Sequence, residues 1–177
     1  GAIAIVDGVS YCPHGLPDIP ALGADIYLFS LYKVYGPHLG VMVMGRKLNA
    51  ELPNQGHFFN AAKPTYRFTP AGADHAQIAA TNGVIDYFES VYQHHFGGPA
   101  SASATEQAAA VRELFRDQEI QLLQPLLDFM HEHPRIRLIG RRDATQRAPT
   151  VAFTVDGLSS TDLATRLENE YPSAAGS

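Results

Sequence analysis

The sequence predicts an α/β fold, and three observations predict it. Ala2-Ile3-Ala4-Ile5-Val6 is an unbroken apolar run ending in Asp7-Gly8, the pattern of a central parallel strand buried on both faces. A second apolar stretch, Asp25-Ile26-Tyr27-Leu28-Phe29-Ser30, runs into Lys33 and the Gly36-Pro37 turn. Farther on, the apolar period changes from strand to helix: Ile78, Ile85, Phe88 and Tyr92, then Val111, Leu114, Phe115, Leu122, Leu126 and Met130, recur at helical spacing.

The elements follow in order. A strand is expected at 2–6, an irregular loop with a short helix over 13–23, and strands at 25–30 and 39–44. Residues 46–52 read as a short helix, and 53–73, with its Gly, Asn and Pro residues, as a connector. Asp74 caps a helix that runs to Tyr92 and is stopped by Gly97-Gly98-Pro99. The small, polar segment 98–105 marks a boundary, so 1–98 and 99–177 are expected to form separate parts. The next long helix contains Pro125, expected to kink or restart it. Strands at 136–139 and 150–155 precede Ser159-Ser160-Thr161-Asp162, a capping-box pattern that opens a last helix.

Composition narrows the function. The 177 residues can bury a sizeable core. The net charge of −5, with 13 scattered Lys and Arg, offers no basic face to nucleic acid or an anionic membrane. No apolar run approaches the roughly 20 residues that span a bilayer. A single cysteine, Cys12, leaves no disulfide framework and agrees with a reducing, cytoplasmic setting. His94-His95 and His131-Glu132-His133 are close in sequence, but adjacent helical positions face different ways and i, i+2 pairs converge poorly, so no metal site is expected.

Two residues carry the chemistry. Lys33 lies between an apolar strand and a glycine-proline turn, and an amine held largely out of water there can shed its proton and attack a carbonyl carbon. That is Schiff-base chemistry. Asp7 falls at a strand's carboxyl end, where open α/β sheets bind ligands, and an ionised carboxylate there suits a protonated pyridine nitrogen. Lysine with aspartate suggests pyridoxal phosphate. The plainer readings are a surface lysine and an Asp-Gly turn.

The run Val6-Asp7-Gly8-Val9-Ser10, His14, Asp18-Ile19, Leu22-Gly23-Ala24-Asp25, Ser30, Lys33 and Gly36-Pro37 resembles the class V aminotransferase and cysteine desulfurase-like enzymes. The resemblance continues through Arg67-Phe68, 74–92, Ile136–Gly140 and Ala148–Val155, most of the chain. It implies the fold type I architecture of pyridoxal phosphate enzymes: part of a large domain with a mostly parallel sheet flanked by helices, plus the start of a smaller α/β domain. It also implies a chain lacking front and rear parts of its relatives, and a homodimer whose site lies between subunits.

By the resemblance Lys33 is the catalytic, cofactor-bonding lysine, Asp7 meets the ring nitrogen and Ser30 binds the phosphate. Ser10, Tyr32 and Gly72 complete the cofactor set with three departures. Common desulfurases carry Gln at the position of Ser10, His at Tyr32 and a Gly-Thr-Pro-Asn phrase at Ala71-Gly72-Ala73-Asp74. Tyr32 can still donate a hydrogen bond, Gly72 offers only backbone N–H toward a partner subunit's phosphate, and Ser10 reaches less far. His14 and Cys12 are taken as structural, since the family's sulfur-carrying cysteine comes from a later segment.

The implied function is transformation of a small amino acid, with C–S cleavage of cysteine leading and transamination or epimerisation as alternatives. A different class also fits: a non-catalytic polypeptide retaining Lys33 and Asp7 as a structural or interaction unit. Exposed apolar surface and self-association would accompany missing front strands.

Overall fold

A computed structural model describes residues 1–69, 72–97 and 102–171. The chain divides into two compact units, Gly1–Leu114 and Phe115–Ser177. The boundary expected at 98/99 lies outside the described residues, as do Ala71, Gly98 and Pro99.

The first unit is organised by a three-stranded sheet in the order β1-β2-β3, formed by β1 (Ile5–Asp7), β2 (Ile26–Ser30) and β3 (Gly40–Met44). Strands β1 and β2 are parallel, with Asp7 opposite Leu28, while β2 and β3 are antiparallel, with Ser30 opposite Gly40. The short helix α1 (Ile19–Leu22) lies in the β1–β2 crossover, capped by the Asp18 side chain on Ala21 N–H and closed by Gly23 at φ 67°. Asp25 turns the chain into β2 and accepts from Ala4 N–H at 2.7 Å, tying the approach to β1 to the approach to β2.

The expectation that the first apolar run is buried on both faces does not hold within this chain. Ile5 is 62% exposed, because β1 is an edge strand that pairs with β2 alone among the described residues. Burial concentrates on β2 and the turn after it: Ile26, Tyr27, Leu31 and Val34 are all buried.

Beyond β3, helix α2 (Arg46–Glu51) is closed by a side chain from the connector. The Arg67 guanidinium donates to the carbonyls of Asn49, Ala50 and Leu52, placing a cation on the orphan acceptors at a helix C-terminus. The single helix expected from Asp74 is two, α3 (His75–Ala80) and α4 (Asn82–Phe96), which meet at Thr81. Asp74 caps α3 as expected, accepting from Gln77 N–H. The buried stripe of α4 is Val84, Phe88 and Tyr92, spaced by four, while Ile85 stands one residue, about 100° of helix, off that stripe and is exposed. Gly97 ends α4 in the left-handed conformation at φ 51°.

Helix α5 (Ala104–Glu132) runs uninterrupted through Pro125, so the restart does not occur. Its cost is one missing donor to the carbonyl four residues earlier. Ser103 and Glu106 form a capping box at its start: Ser103 N–H and Oγ–H donate to Glu106 Oε2, and Glu106 N–H donates to Ser103 Oγ.

In the second unit, β4 (Ile136–Ile139) and β5 (Ala152–Val155) pair antiparallel, Ile136 opposite Val155. Leu123, Leu127 and Ala144 form its buried core, with Ile120, Leu138 and Val151 packed against them. Of the capping box expected at Ser159 the N-cap half forms: Ser159 Oγ accepts from Asp162 N–H at 3.1 Å, while its hydroxyl donates to Asp162 Oδ2 at 2.7 Å, and this cap opens α6 (Ser160–Glu170).

Candidate active site

The carboxyl ends of β1 and β2 carry the residues singled out in the sequence. Because the two strands are parallel and Asp7 is opposite Leu28, Ser30 stands two residues, about 6.6 Å, farther along the same edge. Directly after Ser30, Leu31–Lys33 form a single 3₁₀ turn that ends on Lys33. Asp7, Ser30 and Lys33 are thus brought to one sheet edge by a parallel register and one turn.

Asp7 is exposed and its Oδ1 accepts from Val9 N–H at 3.0 Å. The bond closes an Asx turn directly after β1. Gly8 N–H donates to Leu28 O at 2.8 Å, and Gly8 O accepts from Tyr11 and Cys12 N–H. Ser10, in the middle of that turn, is exposed. Gly8 is required here by a neighbour: a Cβ at this position would overlap the ring of Tyr27.

Tyr27 passes beneath the Asp7-Gly8 turn, 1% exposed, and its hydroxyl has no hydrogen-bond partner among the described residues. Burial, with the nearby Cys12, Tyr11 and Asp7, pushes its phenol up to about 12. Cys12 is equally buried, and desolvation pushes its thiol up to about 11. A thiol so held is a poor nucleophile, which agrees with the structural role expected of it.

Lys33 is half-buried, and its amine lies 5.9 Å from the centre of the Tyr32 ring. Tyr32 is 47% exposed and stacks on His38, with centroids 4.9 Å apart and planes 10° apart. Residues 34–38 pack by a different set of contacts. Val34 is fully buried, and Tyr35, at φ 66°, sets its ring against Tyr87 and Phe88 of α4.

Gly72 lies in the connector ahead of α3, where an added Cβ would meet nothing within 4 Å. It is on a different segment from the Asp7–Lys33 edge. His14 ends a 3₁₀ turn, Cys12–His14. Tyr27 and His38 were not visible as site neighbours in the sequence: Tyr27 reads as one residue of an apolar strand, and His38 meets Tyr32 only through loop closure.

Among the described residues, no group of three or more His, Cys, Asp or Glu is arranged to hold a metal ion. Among the same residues, no helix is long and apolar enough to cross a membrane. A cavity of about 840 Å³ is bordered by Asp18, Val43, Ala104 and Arg112 and does not include Lys33.

Comparison with known proteins gives a consistent picture. The model of the Aminotransferase class-V family matches residues 1–172. The aminotransferase-like protein FGM3 of Gibberella zeae is 33% identical over 172 residues, covering 95% of this chain and 39% of the relative. The cysteine desulfurase-like protein ustD of Aspergillus flavus is 29% identical, covering 94% and 35%. In fold, the chain is similar to the apo cysteine desulfurase of Thermococcus onnurineus NA1, with a TM-score of 0.64 at 20% identity, covering 96% of this chain and 41% of that one. The chain therefore spans about two fifths of the length of these proteins.

Proposed function

This chain belongs to the aminotransferase class-V family, and from that premise we propose that it takes part in a pyridoxal-phosphate-dependent transformation of a small amino acid, with Lys33 as the cofactor-bonding lysine. The observation that carries the reading is the placement of Asp7, Ser30 and Lys33 at the carboxyl edge of two adjacent parallel strands.

The side chains there fit the group by their chemistry. The Lys33 amine matches an aldehyde carbon, the exposed Asp7 carboxylate a pyridinium nitrogen, and the hydroxyls of Ser30 and Tyr32 phosphate oxygens. Ser10 is the candidate for the ring hydroxyl. Gly72, remote in sequence, is assigned to the same site across a homodimer, through its backbone N–H.

When bound, the cofactor supplies an electron sink for charge left at the substrate's α-carbon. The Asp7 carboxylate would hold a proton on the ring nitrogen. The Lys33 amine would be the group that moves a proton at the substrate's α-carbon. Tyr32 and Ser30 would hold the phosphate through their hydroxyls.

For the reaction, we take C–S cleavage of cysteine as the leading assignment, supported by relatives described as cysteine desulfurases and desulfurase-like proteins. Transamination is the alternative, supported by the aminotransferase-like relative at 33% identity, with epimerisation a third outcome of the same proton transfer. Cys12, buried and pushed up to about 11, is not assigned as the acceptor of the sulfur. A cytoplasmic setting goes with this reading.

The test incubates the protein with pyridoxal phosphate, L-cysteine and a thiol reductant, and measures alanine and sulfide beside a Lys33→Ala control. Stoichiometric alanine and sulfide support C–S cleavage. Amino-group transfer to an added keto acid without sulfide supports transamination, and no product above the control overturns the reading.

A further inference from the structure

The loop that follows Lys33 closes on itself. Leu31 N–H donates to Leu39 O, and Val34 and Gly36 N–H both donate to Leu31 O, each at 2.8 Å. Leu39 N–H donates to Pro37 O at 2.7 Å, a tight three-residue turn. Gly36 makes the closure possible, since a Cβ there would stand 2.8 Å from Val84 Cγ2 and 3.1 Å from Leu31 Cβ. The chain is thereby returned to its own start. His38 comes to rest on Tyr32, six residues earlier, in a near-parallel ring stack.

The same Tyr32 ring carries a second neighbour. Lys33 Nζ lies 5.9 Å from its centroid, within the range at which an ammonium is attracted to a ring face. Without His38, Tyr32 would be an exposed aromatic side chain free to change rotamer, and Lys33 a long flexible side chain with no fixed seat. With His38 stacked on it, the ring is held, and the ring in turn gives the lysine amine one preferred place.

We propose that His38 is a positioning residue for Lys33, acting through Tyr32: the stack fixes the ring on which the lysine amine rests at the sheet edge. The proposal rests on the assignment of Lys33 as the cofactor-bonding lysine for its consequence in catalysis, but the clamp itself is a property of the free chain. Tyr32 and His38 then work as a pair. Replacing either removes the seat, while an apolar ring at 38 preserves it.

The test compares the full chain with His38→Ala and His38→Phe by two reagents, each read by peptide mass. Acetic anhydride is used on the protein alone, with Lys47 and Lys63 as internal references. Pyridoxal phosphate followed by borohydride reports cofactor capture at Lys33. Far-UV circular dichroism confirms that each variant is folded.

In His38→Ala, acetylation of Lys33 relative to the references rises about two- to fivefold, the weight of an exposed ring–ammonium contact, while the rate of pyridoxyl labelling falls. His38→Phe restores both. Opposite movement of the two reagents separates lost positioning from general loosening, which would speed both. Unchanged acetylation, movement of both rates together, or failure of His38→Phe to restore them overturns the clamp. If acetylation behaves as expected but pyridoxal phosphate labels Lys33 in none of the proteins, the clamp stands and the cofactor assignment falls.

Discussion

Replacing Gly8 by alanine tests how the Asp7 turn is seated on β2. The added Cβ would overlap Tyr27 Oη and Cζ, and would lie only 2.5 Å from Cε1, where non-bonded carbons normally keep about 3.5–4.0 Å. The ring must therefore retreat by at least about 1 Å, yet Tyr27 is 1% exposed. Overpacking of this kind costs about 1–3 kcal/mol. If the turn yields as well, the bond from Gly8 N–H to Leu28 O at 2.8 Å is lost, a further cost of about 1 kcal/mol.

The expected loss is about 2–4 kcal/mol, read by urea unfolding followed by circular dichroism. Two companions sharpen the reasoning. Tyr27→Phe removes a buried hydroxyl that has no partner among the described residues, so its stability should match the parent or exceed it by up to about 1 kcal/mol. Gly8→Ala with Tyr27→Phe should remain destabilised, because Cζ and Cε1 are still in the way. A Gly8→Ala protein within about 0.5 kcal/mol of the parent, or full rescue by phenylalanine, would refute the steric account.

Arg67 satisfies three carbonyls at the end of α2. Arg67→Ala should cost about 1–3 kcal/mol, and Arg67→Lys should recover little of it, since a single ammonium lacks the planar fork that reaches all three; the same unfolding assay decides. Cys12 gives a pH dependence. Its thiol is raised from 9.0 to about 11 in the folded protein, so between those values the unfolded chain has lost a proton that the folded chain keeps. Stability contributed there is full below pH 9.0 and is lost as pH rises toward about 11. Cys12→Ala should flatten that alkaline decline in thermal melts, and an unchanged profile would contradict it.

Local punctuation made much of the fold legible. The Ile26–Ser30 run, Lys33 and Gly36-Pro37 specified a buried strand, a short turn and a tight loop, and the caps at Ser159 and Asp74 act within four residues of themselves. The features that could not be read depend on distant neighbours. An apolar run such as Ala2–Val6 has the same composition whether it is central or at an edge, and only pairing partners decide its burial. The periodicity of α4 was visible, but a one-residue choice between Val84 and Ile85 rotates the face by about 100°.

The opening of α5 was hidden for a different reason. The small polar residues that include Ser103 read as a boundary, yet they supply the cap that starts the helix. At the site, Asp7, Ser30 and Lys33 were legible because strand ends and turn residues place them. Tyr27 beneath Gly8 and His38 on Tyr32 were not, because both contacts arise from packing across segments that carry no mark in the sequence.

The central claim is that Lys33 bonds the cofactor beside Asp7, and one measurement tests it most directly. The purified chain is mixed with pyridoxal phosphate, its absorbance spectrum recorded, the mixture reduced with borohydride, and the peptides weighed, with Lys33→Ala and Asp7→Asn alongside. The account expects a visible absorbance band and a pyridoxyl label on Lys33, both lost in Lys33→Ala, with the band altered in Asp7→Asn. A label spread over the exposed Lys47 and Lys63, with none specific to Lys33, would contradict it and leave the non-catalytic reading standing.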